Sequence, residues 1–202
     1  MNASPATPLL TVVIATCQSE RTIGRCLESV RSQQYPQERI RIILADGGST
    51  DRTHEIARRF GAEVIAIPPD RQNAEYNKGV GVRAATGDFL LLLDHDNVLP
   101  HPLWLRRMAQ PLLDDPNVVA VQPLRFHYDR SLSLLDRYGA LFGCLDPVVY
   151  ALGKSDHLPW RGGDRIRFGR ANDRGSYYLV EMDPERIPTL GVCLGHQAIV
   201  VA

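Results

Sequence analysis

The feature that most constrains the fold is a run of five apolar residues, Phe89–Leu93, directly followed by Asp94 and Asp96. Its length suits a strand buried on both faces better than a helix. We therefore predict a central parallel strand that ends at the two carboxylates. Residues two apart in an extended backbone point to the same side, so Asp94 and Asp96 would share one side and His95 would face the other.

Two carboxylates at the C-terminal end of a parallel strand suit a particular chemistry. Open α/β sheets bind ligands at this edge, and hard oxygen ligands favour Mg²⁺ or Mn²⁺ bridging the phosphates of a nucleotide. The alternative is an ordinary polar turn, in which Asn97 and Pro100 are turn-forming residues. The Asp-x-Asp pair alone leaves both interpretations open.

A strand followed by a helix recurs along the first part of the chain. Apolar and β-branched segments predict strands at Leu9–Thr16, Ile40–Asp46, Glu63–Ile67 and Val118–Val121. Helical spacing predicts helices from Thr22, from the GGSTD turn to about Phe60, over Ala74–Ala85 and from Pro102. This alternation is typical of an α/β fold with a mainly parallel sheet and flanking helices. No G-x-G-x-x-G follows the first strand, which counts against a dinucleotide-binding oxidoreductase.

The composition indicates a soluble globular chain without a strong electrostatic field. Of 202 residues, 44% are hydrophobic, and 23 basic side chains balance 23 acidic ones. This balance predicts no nucleic-acid partner, and no apolar run reaches the length of a membrane span. We expect one cytoplasmic domain, residues 1–202. The four dispersed cysteines indicate neither a zinc site nor a disulfide framework.

Beyond Pro123 the alternation fades. Ser131–Phe142 has the spacing of an amphipathic helix, and we interpret Lys154–Arg174, which is rich in Gly, Arg and Asp, as a mobile loop over the site. Its arginines are suited to phosphates or a lipid-linked diphosphate, but a solvated charged loop is the alternative. They are Arg161, Arg165, Arg167 and Arg170.

Polar residues follow several predicted strands, and the segments that carry them resemble the nucleotide-sugar glycosyltransferases of family 2. The matching segments are TVVIATCQSE, ILADGGSTDRTHEIA, NAEYNKGVGVRAATGD and FLLLLDHDNVLP. The resemblance implies a GT-A, Rossmann-like fold whose C-terminal part is incomplete. Within the single domain, residues 1–123 would be the nucleotide-binding half and 124–202 a partial acceptor-side region.

The resemblance also implies which residues bind the nucleoside. Ala15, Thr16 and Glu20 would line the base and the ribose. Asp46 would accept a hydrogen bond from the base, as a carboxylate can from a ring N–H. The donor would be a nucleoside-diphosphate sugar, from which the sugar is transferred with inversion.

A second set of residues would bind the diphosphate and the metal. Lys78 would hold the pyrophosphate as a point charge, and Asn77 would help to shape the loop. Asp94 would contact the ribose or a metal-bound water. Asp96 would ligate Mg²⁺ or Mn²⁺, and His95→Ala should therefore matter much less than Asp96→Asn.

The acceptor is less defined than the donor. Acceptors in this family are saccharides, lipid-linked molecules or proteins, and many members serve cell-envelope polysaccharide biosynthesis. The resemblance therefore implies peripheral association with the inner face of the membrane. In the family the general base is an acid downstream of a loop that resembles Pro188–Gly191.

No carboxylate follows Glu185, so we expect the general base and the C-terminal acceptor region to be missing from this chain. The alternative function is then a catalytically silent nucleotide-binding remnant.

The tail carries a second resemblance. Gly191–Ile199, GVCLGHQAI, resembles the nucleophile-elbow segment of class I glutamine amidotransferases, in which the cysteine attacks glutamine. That cysteine needs a histidine and an acid, which lie well downstream in that family, and only nine residues follow Cys193. An amidotransferase fragment is therefore the less favoured alternative, and we expect no glutaminase activity. A diverged tail, a frameshift and a fusion all stay open as its origin.

Overall fold

The computed structural model describes residues 7–123 and, beyond them, residues 128, 130–131, 133–135, 137–138, 169–174, 178–182 and 198–201. The chain divides into two compact units. The larger unit comprises Met1–Gln122 together with Leu194–Ala202, and the smaller unit comprises Pro123–Cys193.

The described strands are β1 (Leu10–Thr16), β2 (Ile40–Asp46), β3 (Glu63–Ala66), β4 (Phe89–Asp94), β5 (Ala120–Val121), β6 (Gly169–Asp173), β7 (Tyr178–Met182) and β8 (Ala198–Val201). Six of them form the sheet of the larger unit, in the order β3-β2-β1-β4-β8-β5. The first four in this order are parallel to one another. Strand β8 runs antiparallel to both β4 and β5. The predicted mainly parallel α/β sheet is confirmed.

The described helices are α1 (Ile23–Arg31), α2 (Thr53–Arg59), α3 (Ala74–Ala84) and α4 (Trp104–Asp114). All four were predicted, although α4 begins after Pro102, because the amide of Trp104 donates to the carbonyl of His101 and closes a turn first. Strand β5 is shorter than predicted for a similar reason. The amide of Val118 donates to the carbonyl of Asp115, so Val118 belongs to a turn.

The core lies on the parallel strands. Every residue of β1, which lies between β2 and β4 in the sheet, is buried. Val13, Ile43 and Leu90 form a cluster on one face of the sheet, where Ala84 at the end of α3 packs against them. Helix α3 approaches this face very closely. A Cβ on Gly81 would lie 2.4 Å from Cγ1 of Val13, so the glycine permits the contact.

In the smaller unit, β6 and β7 form an antiparallel pair from Gly169↔Met182 to Asp173↔Tyr178. The loop predicted over Lys154–Arg174 is therefore wrong at its end, because Arg170 lies in a ladder-paired strand. Residues 154–168, with Arg161, Arg165 and Arg167, lie outside the described residues. Of the helix predicted over Ser131–Phe142, residues 134–135 and 137–138 are helical, and residues 139–142 lie outside the description.

No helix in the described part of the chain is long and apolar enough to cross a bilayer.

Two glycines of α3 provide a matched test of this packing. Gly81→Ala should destabilise the protein by about 1–3 kcal/mol, because the added methyl group overpacks the contact with Val13. Gly79→Ala should stabilise it by about 0.5–1 kcal/mol, since alanine favours helix and the nearest atom to its Cβ is a guanidinium nitrogen of Arg83 at 3.6 Å. Urea unfolding measures both changes. Equal stability of the two variants would contradict the close approach of α3.

Candidate functional site

Strand register brings the predicted site residues to one edge of the sheet. Ala15 pairs with Asp94 of β4, and Thr16 pairs with Asp46 of β2. The chain adds β2 and β3 on one side of β1 and then places β4 on the other side. Such a reversal of strand order opens a crevice at the C-terminal ends of the strands, where α/β sheets bind ligands.

The most connected side chain at this edge is Asp46, which is 0% exposed. Its Oδ1 accepts hydrogen bonds from the hydroxyls of Thr16 (2.9 Å) and Ser49 (2.6 Å). Its Oδ2 accepts from the amides of Gly48 (3.0 Å) and Ser49 (2.7 Å) and lies 2.7 Å from Nε2 of His54. Asp46 therefore joins the end of β1, the loop after β2 and the first turn of α2.

These donors also set the charge of Asp46. Burial raises the pKa of this carboxyl, but hydrogen bonds from Ser49, His54 and Thr16 outweigh it and hold the pKa below its ordinary value of 3.8. A carboxylate offers about four lone-pair sites, and the protein fills them. In this conformation the acceptor role for a nucleotide base is occupied by protein donors, and that role stays a prediction.

The loop after β2 has the composition of a phosphate-binding loop, but its amides are already used. The amide of Gly47 donates to the carbonyl of Thr16 at 2.9 Å, and the next two amides donate to Asp46. The amide of Thr50 donates to Oε1 of Gln18 at 3.2 Å. The described amides of 47–50 thus stabilise the loop and offer no donor to a phosphate.

The loop after β1 interlocks with the loop after β2. Gln18 adopts a positive φ of 52°, its amide donates to the hydroxyl of Ser49 (2.8 Å), and its side chain donates to that of Thr50 (3.0 Å). The carboxylate of Glu20 accepts from the amide of Arg52 at 3.2 Å and from its guanidinium at 3.4 Å. Glu20 therefore fixes the entry to α2 as well as lying beside the crevice.

At the end of β4, successive side chains reach opposite faces of the sheet. Nζ of Lys78, on α3, lies 2.9 Å from Oδ1 of Asp94. Nδ1 of His95 lies 2.9 Å from the hydroxyl of Thr22, directly before α1. The predicted alternation of Asp94 and His95 is confirmed.

The extended backbone predicted to continue to Asp96 is wrong. Strand β4 ends at Asp94, and the amide of Asn97 donates to the carbonyl of Asp94 at 3.1 Å, so His95 and Asp96 form a turn. Asp96 is exposed, and an exposed carboxylate oxygen is a donor that Mg²⁺ or Mn²⁺ accepts along with waters and substrate phosphates. The described residues contain no group of three metal-ligating side chains.

Asn77 and Ala15 line the inner wall of this edge. Asn77 is 1% exposed, and its Nδ2 lies 3.4 Å from the carbonyl of Thr16. Its Oδ1 has no hydrogen-bond partner in the part of the chain that the structure describes. Ala15 is buried between the two neighbouring strands. The structure thus brings the eight predicted residues to one edge, with Asn77 and Lys78 supplied by α3, and their roles stay predictions.

Sequence reasoning missed His54, Thr22 and Gln18. His54 follows Asp46 by eight residues, and only the folded loop brings the two side chains together. No periodic pattern points to such a contact. The one available signal was the excess of hydroxyl and carboxyl side chains in both loops, which favours local capping bonds.

A mainly parallel sheet with carboxylates and a buried lysine at its switch point is typical of α/β domains that bind a ligand at this edge. Residues 11–177 match the sequence model of glycosyl transferase family 2. The chain belongs to this family.

Named relatives of the chain support its membership of this family. The chain is similar to glycosyltransferase AglE of Haloferax volcanii, with 34% identity over 135 residues that cover 65% of this chain and 44% of that protein. It is also similar to the succinoglycan biosynthesis protein ExoA of Rhizobium meliloti, with 31% identity over 134 residues that cover 62% and 40%. The matched region spans less than half the length of either relative.

Solved structures show the same fold. The mannosyltransferase PcManGT from Pyrobaculum calidifontis, solved in complex with GDP-Man and Mn²⁺, superimposes with a TM-score of 0.53 and 24% identity, covering 67% of this chain and 39% of that one. TarS from S. aureus superimposes with a TM-score of 0.51 and 23% identity, covering 55% and 34%.

The buried Asp46 predicts a specific pH dependence. Asp46→Asn should destabilise the fold by about 2–4 kcal/mol near neutral pH, because an amide nitrogen cannot accept the bonds that the carboxylate accepts. The pKa of Asp46 is lowered in the folded chain, so its contribution is present above about pH 4 and is lost as the pH falls through the folded-state pKa. The difference from wild type, measured by urea unfolding, should shrink in acid. The matched control is Asp114→Asn, at an exposed position of α4, whose unfolding free energy should differ little from that of wild type at every pH. A large difference for Asp46→Asn that stays constant with pH would contradict the role of an ionised Asp46.

Cys26 should be chemically inert. It is fully buried beneath the end of β4 and donates to the carbonyl of Asp94 at 3.6 Å. Burial, and then the charges of Asp96 and Asp94, raise the pKa of its thiol to about 12. Iodoacetamide at about pH 8 should therefore label the partly exposed Cys17 first, and Cys26 only after unfolding, as read by peptide mass spectrometry. Equal labelling in the native state would show that β4 opens readily.

Proposed function

We propose that this chain binds a nucleoside-diphosphate sugar at the C-terminal ends of β1, β2 and β4 and transfers the sugar with inversion to a saccharide, lipid-linked or protein acceptor. The observation that carries the proposal is the switch-point edge. There Thr16 at the end of β1 contacts Asp46 at the end of β2, and Lys78 of α3 contacts Asp94 at the end of β4, next to the exposed Asp96. Membership of glycosyl transferase family 2 supports the reaction. The GDP-Man and Mn²⁺ complex of PcManGT supports the classes of donor and metal.

The nucleoside would lie against the first two strands. Ala15 and Thr16 form the wall beside the base and ribose, and Glu20 closes the same side next to Arg52. Asp46 holds the loop in place by accepting hydrogen bonds from protein donors. If the base N–H binds the carboxylate directly, one of these protein hydrogen bonds to Asp46 must break first.

The diphosphate would lie over the ends of β1 and β4. Lys78 presents a compact, largely buried charge there, and Asn77 ties α3 to the end of β1. Asp94 would orient the ribose side, and Asp96 would hold Mg²⁺ or Mn²⁺. When bound, the metal supplies Lewis-acid stabilisation of the charge that develops on the departing nucleoside diphosphate.

The tail supports this function over the amidotransferase alternative. Cys193 lies outside the described residues, but the last two residues of the similar segment, Ala198 and Ile199, pair with Leu92 and Leu91 in the β4–β8 ladder. In a nucleophile elbow the chain after the cysteine enters a helix. Here Ala198 and Ile199 belong to a strand of the sheet, and the lack of glutaminase activity stays a prediction.

Titration calorimetry with UDP and with GDP, each with and without Mn²⁺, tests the proposal most directly. At least one nucleotide should bind, and more tightly with the metal. No binding of either nucleotide at millimolar concentration with Mn²⁺ would overturn the proposal. Sugar transfer to a supplied acceptor would then distinguish a transferase from a silent nucleotide-binding remnant.

Asp96→Asn should abolish the part of nucleotide affinity that depends on Mn²⁺, because it removes an anionic ligand at nearly constant volume. The same substitution at Asp114 is the matched control, since that carboxylate is exposed on α4. His95→Ala should lose much less, because His95 faces Thr22 on the other side of the sheet. Equal losses for Asp96→Asn and His95→Ala would contradict the metal-ligand role.

A further inference from the structure

We propose that Lys78 is a built-in cation that neutralises Asp94, so that the free protein binds Mn²⁺ weakly and the metal enters together with the nucleotide. This inference rests on the proposed nucleotide site. It assigns Lys78 a positioning role toward the metal in addition to any contact with phosphate.

The contact between the two side chains is close and sheltered. Nζ of Lys78 lies 2.9 Å from Oδ1 of Asp94, and the side chains are 11% and 21% exposed. Water screens such a pair less than a surface pair. The ammonium therefore offsets much of the negative charge of Asp94.

The helix that carries Lys78 is fixed at several points. The side chain of Asn73 accepts from the amide of Tyr76 at 2.7 Å and caps the start of α3. Asn77 contacts the carbonyl of Thr16 at 3.4 Å, and Gly81 lies against Val13. The ammonium is thus held at the end of β4 by the packing of the whole helix.

Charge then decides what the edge can bind. Of the two carboxylates Asp94 and Asp96, Asp94 has its charge offset by Lys78. The described contacts place no ammonium beside Asp96. Affinity for divalent cations rises with the number of charged ligands, and an ammonium repels a cation placed beside Asp94. A bound nucleoside diphosphate changes both the number of ligands and the repulsion. Its phosphates add ligands for the metal, and their negative charge offsets the ammonium of Lys78.

This role differs measurably from a purely structural salt bridge. Loss of a structural bridge would loosen the edge and weaken every ligand. Loss of the proposed cation should move two affinities in opposite directions, because the ammonium opposes Mn²⁺ and favours phosphate.

The test uses Lys78→Met, which keeps an unbranched side chain of nearly the same length and removes its charge. Calorimetry with Mn²⁺ alone should show tighter binding by about tenfold, because Asp94 then joins Asp96 as a charged ligand. Calorimetry in EDTA with the nucleotide that wild type binds should show weaker binding by about tenfold. Lys78→Gln, which retains a donor toward Asp94 without the charge, should show the same two shifts and serves if Lys78→Met does not fold.

Two further variants isolate the cause. Arg83→Met removes one positive charge from an exposed position of the same helix and should change neither affinity. The double variant Lys78→Met/Asp94→Asn removes both partners and should lose the gain in Mn²⁺ binding, since Asp94 no longer supplies a charge.

The outcomes separate this inference from the proposed function. Unchanged or weaker Mn²⁺ binding by folded Lys78→Met and Lys78→Gln overturns the role of Lys78, whatever the nucleotide does. A wild-type protein that binds no nucleotide with Mn²⁺ overturns the proposed function. Comparing the Mn²⁺ affinities of wild type and the Lys78 variants without nucleotide still tests the role of Lys78. Tighter Mn²⁺ binding that persists in the double variant also overturns the inference, because it would not depend on Asp94.

Discussion

The buried carboxylate of Asp46 makes the interactions on which the switch-point edge of the sheet depends. A charged group with no exposed surface is tolerated only when hydrogen bonds replace its lost hydration. Here the replacements come from three separate elements: the end of β1, the loop after β2 and the start of α2. The same bonds that offset the burial of Asp46 therefore hold these elements in one arrangement. The edge is stabilised before any ligand arrives.

Most of the fold could be predicted because it follows from local patterns. Apolar runs such as Phe89–Leu93 predict buried strands, and the order of strands and helices predicts a parallel sheet. Two errors occur where a single hydrogen bond overrides the pattern. The turn closed by the amide of Asn97 ends β4 before Asp96, and the turn closed by the amide of Val118 shortens β5. Strand Gly169–Asp173 was missed because its residues, GRAND, carry no apolar periodicity.

The candidate site also has a part that the sequence predicts and a part that it does not. Residues at strand ends, such as Thr16 and Asp94, could be placed from the strands alone, since parallel strands end at one edge. The contacts between them could not. The Lys78–Asp94 pair depends on how deeply α3 packs on the sheet, and the approach of His54 to Asp46 depends on the path of a six-residue loop, 47–52. Both are long-range results of packing.

The antiparallel strand β8 has a consequence for how the protein is made. Residues 198–201 pair with Phe89–Leu92 and also provide the ladder that joins β5 to the sheet. While the ribosome is still adding the intervening residues, β4 has β1 on one side and an open row of backbone donors and acceptors on the other. Such an edge is a template for pairing with another chain, and closing so long a loop is slow. The strand that bears Asp94 is thus open to pairing with another chain until residues 198–201 have been added.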